Sequence, residues 1–157
     1  MLIAIDPGSA ETAYVILDDH YKIYGFDKVQ NEVLLEKLRK ETYDEFVIEN
    51  IASYGMGVGR EVFDTCIWIG RFWEVANAKV KDFIYRKDEK INLCGSMKAK
   101  DSNIRIALID RFAKFDFKNG KGNKKNPDVF YGFKADIWAA MAVGVTYLDM
   151  KAQHEEN

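Results

Sequence analysis

The apolar positions of this chain begin as short runs and end as a long helical stripe. Residues 2–5 are continuously apolar and stop at Asp6-Pro7-Gly8, the pattern of a buried strand cut off by a turn. Residues 13–17 read as a second strand, and Asp18-Asp19-His20 turns the chain into a third over residues 22–26. Residues 31–40 carry Val33, Leu34, Leu35 and Leu38 at helical spacing, with Asn31 in place to cap the start. Asp44-Glu45-Phe46-Val47-Ile48-Glu49 then reads as a buried strand, and a strand reached through a helical crossover joins a sheet in parallel. A glycine-containing loop at residues 54–59 leads into a helix expected from about residue 60 to 78. Its apolar residues, Val62, Phe63, Cys66, Ile67, Ile69, Phe72, Trp73, Val75 and Ala76, cover more than one face, which points to a helix shared with a second copy of the chain.

Short strands are expected at residues 83–85 and 91–94. Asp101 or Ser102 can cap a helix carrying Ile104, Ala107, Leu108 and Phe112. The last helix starts near Phe133 and carries Ile137, Ala140, Met141, Gly144, Val145 and Leu148 as an i, i+3/i+4 stripe. Trp68, Trp73 and Trp138 fall within helical stripes and read as core. The whole is an α/β fold of one domain over residues 1–157: an antiparallel three-strand meander extended by parallel strands into a mixed sheet, with helices on both faces.

Composition changes this picture little. Nearly half the residues (48%) are hydrophobic, which fits a folded globule and excludes a disordered chain. Cys66 and Cys94 lack metal-ligand or redox spacing and read as two small buried hydrophobes in a reduced protein. The opening apolar run is too short for a secretory signal, and no stretch is long enough to span a membrane, so the expected location is the cytoplasm. Net charge is −2, which does not by itself invite nucleic acid. Local charge does: Lys98 and Lys100 flank a turn, Lys118, Lys121, Lys124 and Lys125 run through a Gly-, Asn- and Pro-rich segment that reads as a mobile basic loop, and Arg60, Arg105 and Lys134 add to them.

Three carboxylates stand where packing needs none. Asp6 and Glu49 each end an apolar strand, and Asp136 stands one residue ahead of the stripe of the last helix. In a mixed sheet the first and fourth strands are neighbours, so Asp6 and Glu49 face one point and a helix over that face adds Asp136. Like charges about 4 Å apart cost roughly 4 kcal/mol at an effective dielectric of 20. A cation must relieve that repulsion, and hard oxygen donors select Mg²⁺ or Mn²⁺ over zinc. Two such ions about 4 Å apart suit phosphodiester hydrolysis.

The motifs Ile3-Ala4-Ile5-Asp6-Pro7-Gly8, Val47-Ile48-Glu49-Asn50 and Ala135-Asp136-Ile137-Trp138-Ala139-Ala140 resemble the three acidic motifs of RNase H-like resolvases of the RuvC family. Met97-Lys98-Ala99-Lys100-Asp101-Ser102-Asn103 is similar to the corresponding segment of phage members. The resemblance implies an RNase H-like fold, Asp6, Glu49 and Asp136 as metal ligands, two Mg²⁺ ions (Mn²⁺ as substitute), branched DNA such as a four-way junction as partner, and a homodimer. Tyr54 or Met56, in the glycine loop, would wedge into the junction centre. Lys98, Lys100, Arg105, Arg60 and Lys134 would contact phosphates beside the basic loop. The chain departs from the family where an Asp or His commonly stands one helical turn before the last Asp: Phe133 is there instead. A thinner ligand set, Asp128 or Glu11 as stand-in, or direct positive charge from Lys134 are the alternatives, and relaxed selectivity among branched structures is expected. Strand-Asp-x-Gly also opens phosphate-binding kinases and ATPases, but those need two such domains. An inactive scaffold, or an enzyme acting on RNA or RNA–DNA hybrids, remain the rival readings.

Overall fold

The computed structural model describes residues 1–156 with the exception of Tyr54 and Met56. Its elements are β1 (Leu2–Asp6), β2 (Glu11–Leu17), β3 (Ile23–Gln30), α1 (Asn31–Lys40), β4 (Thr42–Asn50), α2 (Arg60–Val75), β5 (Asn77–Tyr85), α3 (Arg86–Cys94), α4 (Asp101–Phe112) and α5 (Ile137–Glu156). The strands form one sheet in the order β3-β2-β1-β4-β5. β1, β2 and β3 pair antiparallel as a meander, and β4 and β5 add in parallel beside β1. This is the expected α/β mixed sheet.

Alternation along each strand divides the side chains between two helix-covered faces, which is why β1 and β4 read as continuous apolar runs. Leu2, Ala4, Val15, Leu17, Val47 and Ile84 pack under α5 with Ile104 and Leu108 of α4. Ile3, Ile5, Phe46 and Ile48 pack on the opposite face against Leu34 and Leu38 of α1 and Ile69 and Phe72 of α2. α5 is more deeply embedded than a one-sided stripe predicts, for every residue from Ala140 to Leu148 is buried. It can lie so close because Gly144 has no side chain: a Cβ there would stand 2.7 Å from Leu17 Cδ1 and 3.1 Å from Ala4 Cβ.

Several sequence expectations need correction. Residues 91–94 are the end of α3 and not a strand, and β5 is a full strand from Asn77. α3 starts where Asp88 accepts a hydrogen bond from the Tyr85 amide (3.1 Å) and stops at Gly95, whose φ of 72° closes the helix in the left-handed region. α2 ends at Val75, because the chain turns extended at Ala76 to enter β5. The last helix begins at Ile137 and not near Phe133. Cys66 is exposed, on the outer face of α2, and Cys94 is half-buried; both are free thiols.

The basic segment after α4 is not a loose loop. Asp128 is buried and accepts from the amides of Lys114 (3.0 Å), Phe115 (3.0 Å), Asp116 (2.8 Å) and Val129 (2.7 Å). Asp116 in turn accepts from Asn119 (3.1 Å), Lys121 (3.3 Å) and Gly122 (2.9 Å). Burial works to raise the Asp128 carboxyl, but the four amides outweigh it and hold it well below the usual carboxylate range. Two carboxylates therefore wind the segment around themselves, and the Gly, Asn and Pro residues supply the turns.

Candidate active site

The sheet register fixes the first two carboxylates. Ile5 pairs with Ile48 across the parallel β1/β4 ladder, so the next residues, Asp6 and Glu49, stand side by side at the strand ends. Alternation places both on the α5 face, in line with Ala4 and Val47. Pro7 and Gly8 end β1, and Gly8 is obligatory, since a Cβ would stand 2.3 Å from the Glu11 carbonyl oxygen. Two buried side chains secure this turn. The Gly8 amide donates to Thr12 Oγ1 (3.2 Å), Thr12 Oγ1 donates to Asn31 Oδ1 (2.6 Å), and Asn31 Nδ2 donates to the Gly8 carbonyl (2.9 Å). Asn31 thus does not cap α1, as the sequence led us to expect; α1 has no side-chain cap at its start.

Asp136 reaches the same region from the residue just ahead of α5, and its carbonyl accepts the helical bond from Ala140 (3.0 Å). The preceding Ala135 has φ of 46°, a left-handed conformation that costs a non-glycine residue about 1–2 kcal/mol. Asp136 is exposed, and its Oδ2 lies 2.8 Å from Lys28 Nζ.

Electrostatics bind the three into one site. Asp6 is pushed up to about 8 by burial first, then by Glu49 and Asp136, with Arg86 and Lys28 opposing. Glu49 has a buried oxygen, Oε1, without a hydrogen-bond partner. Its neighbour Glu89, on α3, is completely buried, bonds Arg86 Nη1 (2.9 Å), and likewise leaves one oxygen, Oε2, unpartnered. Burial, and then contact with Glu49, push the Glu89 carboxyl far up despite Arg86. Arg86 is fixed on its other side by Asp101. Among the described residues no three Asp, Glu, His or Cys side chains already converge as a metal cage; Asp136 is ion-paired with Lys28.

Glu89, Arg86 and Lys28 escaped the sequence reading. The first two lie between the short strands expected at residues 83–85 and 91–94, although Asp88 and Gly95 mark the ends of a helix there. Lys28 lies on the part of β3 beyond Phe26, where the third strand was expected to stop.

The proposed stand-ins for the missing fourth acid do not fill that place. Phe133 is buried in an aromatic cluster with Phe26 (4.7 Å between centroids), Phe130 (5.0 Å) and Trp138 (5.1 Å). Asp128 is spent on backbone amides, and Glu11 is exposed at the start of β2, where it acts on Lys28. Lys134 is exposed one turn before α5 and forms no ion pair within the described residues.

Of the basic candidates, Arg105 comes nearest. It lies over Trp138 (5.7 Å to the ring centroid) and lines a cavity of about 200 Å³ with Arg86, Asp101 and Asp136. A second cavity, of about 430 Å³, continues from Arg105 and Trp138 to Lys118 and Lys121. Lys98 and Lys100 are exposed ahead of α4, Lys124 and Lys125 are exposed in the turn before Pro127, and Arg60 is exposed and 3.9 Å from Asp64. None of these five lines either cavity. Tyr54 and Met56 lie outside the described residues.

A five-stranded mixed sheet in this order, with helices on both faces and acids at the ends of β1 and β4, defines an RNase H-like fold. Within that class the chain follows the RuvC arrangement over nearly its whole length. Thermus thermophilus RuvC superposes with a TM-score of 0.62 at 14% identity, covering 97% of this chain and 96% of that chain. The same protein in complex with Holliday junction substrate gives 0.65 at 11% identity, over 96% and 94%. Fowlpox virus resolvase in complex with its substrate Holliday junction DNA gives 0.57 at 18%, over 96% and 99%. No protein-family model and no curated protein matches the sequence.

Proposed function

We propose that this chain is a metal-dependent endodeoxyribonuclease that cuts branched DNA, four-way junctions above all, as a homodimer in the cytoplasm. The observation that carries the reading is the forced meeting of Asp6 and Glu49: one pushed up to about 8, the other left with a buried, unpartnered oxygen. Such a pair is unfavourable without a cation, and its all-oxygen donor set suits Mg²⁺ or Mn²⁺. Two of the structural neighbours are described as complexes with Holliday junction DNA, which supports the substrate class.

Asp6 and Glu49 would hold the ion, with Asp136 completing its ligands. When bound, the ion supplies the charge that activates a water and steadies the leaving oxygen. The chain's own residues do the rest. The Thr12–Asn31 network holds the turn after Asp6, and Glu89, itself held by Arg86, lies against Glu49. Arg105, Lys118 and Lys121 line cavities that run away from Asp136, and they take the backbone phosphates on either side of the cut. Lys98, Lys100, Lys124, Lys125, Lys134 and Arg60 add exposed positive charge for the arms of the junction, and Tyr54 or Met56 enters its centre. The second copy docks on α2, where Phe63 (60% exposed) and Ile67 (61%) form an apolar ridge with Cys66 and Gly70.

Purified protein incubated with a labelled four-way junction, a linear duplex and an RNA–DNA hybrid, each with Mg²⁺, Mn²⁺ or EDTA, tests this. The junction is nicked only with metal, and Asp136→Asn removes the nicking. Binding without cutting under every metal condition favours an inactive scaffold, and preferred cutting of the hybrid moves the substrate to RNA. Sedimentation of Ile67→Glu as a monomer checks the dimer face.

A further inference from the structure

Lys28 occupies a position that the three acids alone do not explain. Asp6 pairs with Ala13 across β1/β2, and Ala13 pairs with Lys28 across β2/β3, so the three form one row on the α5 face of the sheet. Only a buried methyl group stands between the acid and the lysine in that row. Lys28 Nζ is 2.8 Å from Asp136, its side chain is only 33% exposed, and Glu11 and Asp6 are the other acids that act on it. From the opposite side Arg86, anchored by Glu89 and Asp101, acts on Asp6. Arg86 is already paired with Glu89 and Asp101, so the three carboxylates have Lys28 as their one close counter-charge among the described residues, and a fourth acid is kept out by the packing of Phe133. The two negative charges left over match one divalent ion and not two.

We infer that Lys28 is the second cation of this site: the chain takes a single divalent ion at Asp6 and Glu49, and the Lys28 ammonium does on the Asp136 side what a second ion would do, meeting an oxygen of the cut phosphate. The inference rests on the nuclease reading. It assigns the lysine a contact with substrate that a merely structural ion pair would not have, and it predicts opposite signs for metal affinity and cleavage when the charge is removed.

The test is titration of the full-length protein with Mn²⁺, followed by calorimetry and by the electron-spin signal of free Mn²⁺, for wild type, Lys28→Met and Lys28→Arg, with junction cleavage measured in parallel. Wild type binds one ion per chain. Lys28→Met binds Mn²⁺ about tenfold tighter, because a repelling charge is gone and Asp136 is released, while cleavage falls by about a hundredfold. Lys28→Arg keeps the wild-type affinity and recovers part of the cleavage, which also excludes misfolding as the cause. Two ions bound by wild type, or a Lys28→Met protein with unchanged Mn²⁺ affinity, overturns the inference and leaves the nuclease reading standing. A wild type that binds no Mn²⁺ overturns both.

Discussion

Glu45 and Glu49 lie on the same strand, on the same face of the sheet, four residues apart, and their surroundings are opposite. Glu45 is buried and fully satisfied: Tyr147 donates its hydroxyl at 2.5 Å to one oxygen and Lys151 its ammonium at 3.2 Å to the other, both from α5. Glu49 faces Asp6 and Glu89, two further acids, and has a buried oxygen with no donor. α5 covers both ends of this face, yet it brings donors to one glutamate and another acid, Asp136, to the other. The Glu45 end is built for stability. The Glu49 end is kept electrostatically unfavourable, as functional sites commonly are.

The sharpest way to break this contrast is to neutralise each glutamate in turn. Glu49→Gln lowers junction cleavage by about 10²–10³-fold while leaving thermal stability equal or higher, because a repulsion has been removed. Glu45→Gln does the reverse, keeping cleavage and losing about 1–2 kcal/mol in chemical denaturation. Parallel losses of cleavage in both variants sink the division of labour.

The next effect is a pH dependence of stability in the metal-free protein. Asp6 is pushed up to about 8 in the folded state, by burial, Glu49 and Asp136 in that order, from an ordinary value near 3.8. Between those values the folded chain holds a proton that the unfolded chain has lost. Stability is therefore greatest below about pH 4 as far as this group is concerned, and falls as pH rises to 8, by at most about 1.4 kcal/mol per pH unit. Asp6→Asn removes that slope, so its melting temperature exceeds wild type by more at pH 8 than at pH 5. Identical slopes for the two proteins would remove the strain from the site.

Smaller effects test the supports. Asn31→Ala leaves the Gly8 carbonyl and the Thr12 hydroxyl without their partner, which costs about 2 kcal/mol, and cleavage drops about tenfold as the turn after Asp6 loosens. An equal loss of stability with cleavage untouched would make Asn31 a core residue only. Smallest of all, Ala135→Gly relieves the left-handed backbone beside Asp136 and raises stability by up to about 1 kcal/mol in thermal melts. A fall in stability would mean that the φ of 46° carries no strain.

The contrast also explains what was legible in the sequence. β1 and β4 announced themselves as apolar runs ended by an acid, since both of their faces are covered and only their ends meet solvent. Strand adjacency then brought Asp6 and Glu49 together. Lys28 was invisible because β3 is an edge strand of mixed polarity, and its reach to Gln30 depends on pairing with β2 as far as Glu11. Glu89 was hidden in a polar stretch whose helix is set by Asp88 and Gly95 more than by periodicity. The basic segment looked loose because its order comes from Asp116 and Asp128 binding amides far along the chain, which no local pattern encodes.

The central claim, that the acidic end of one sheet face cuts DNA and the satisfied end does not, is tested most directly by one measurement: single-turnover cleavage of a labelled four-way junction in Mg²⁺ by wild type, Glu45→Gln and Glu49→Gln. The account predicts wild-type cutting by the first two and a rate about 10²–10³-fold lower for the third. Cutting by Glu49→Gln at the wild-type rate would contradict it.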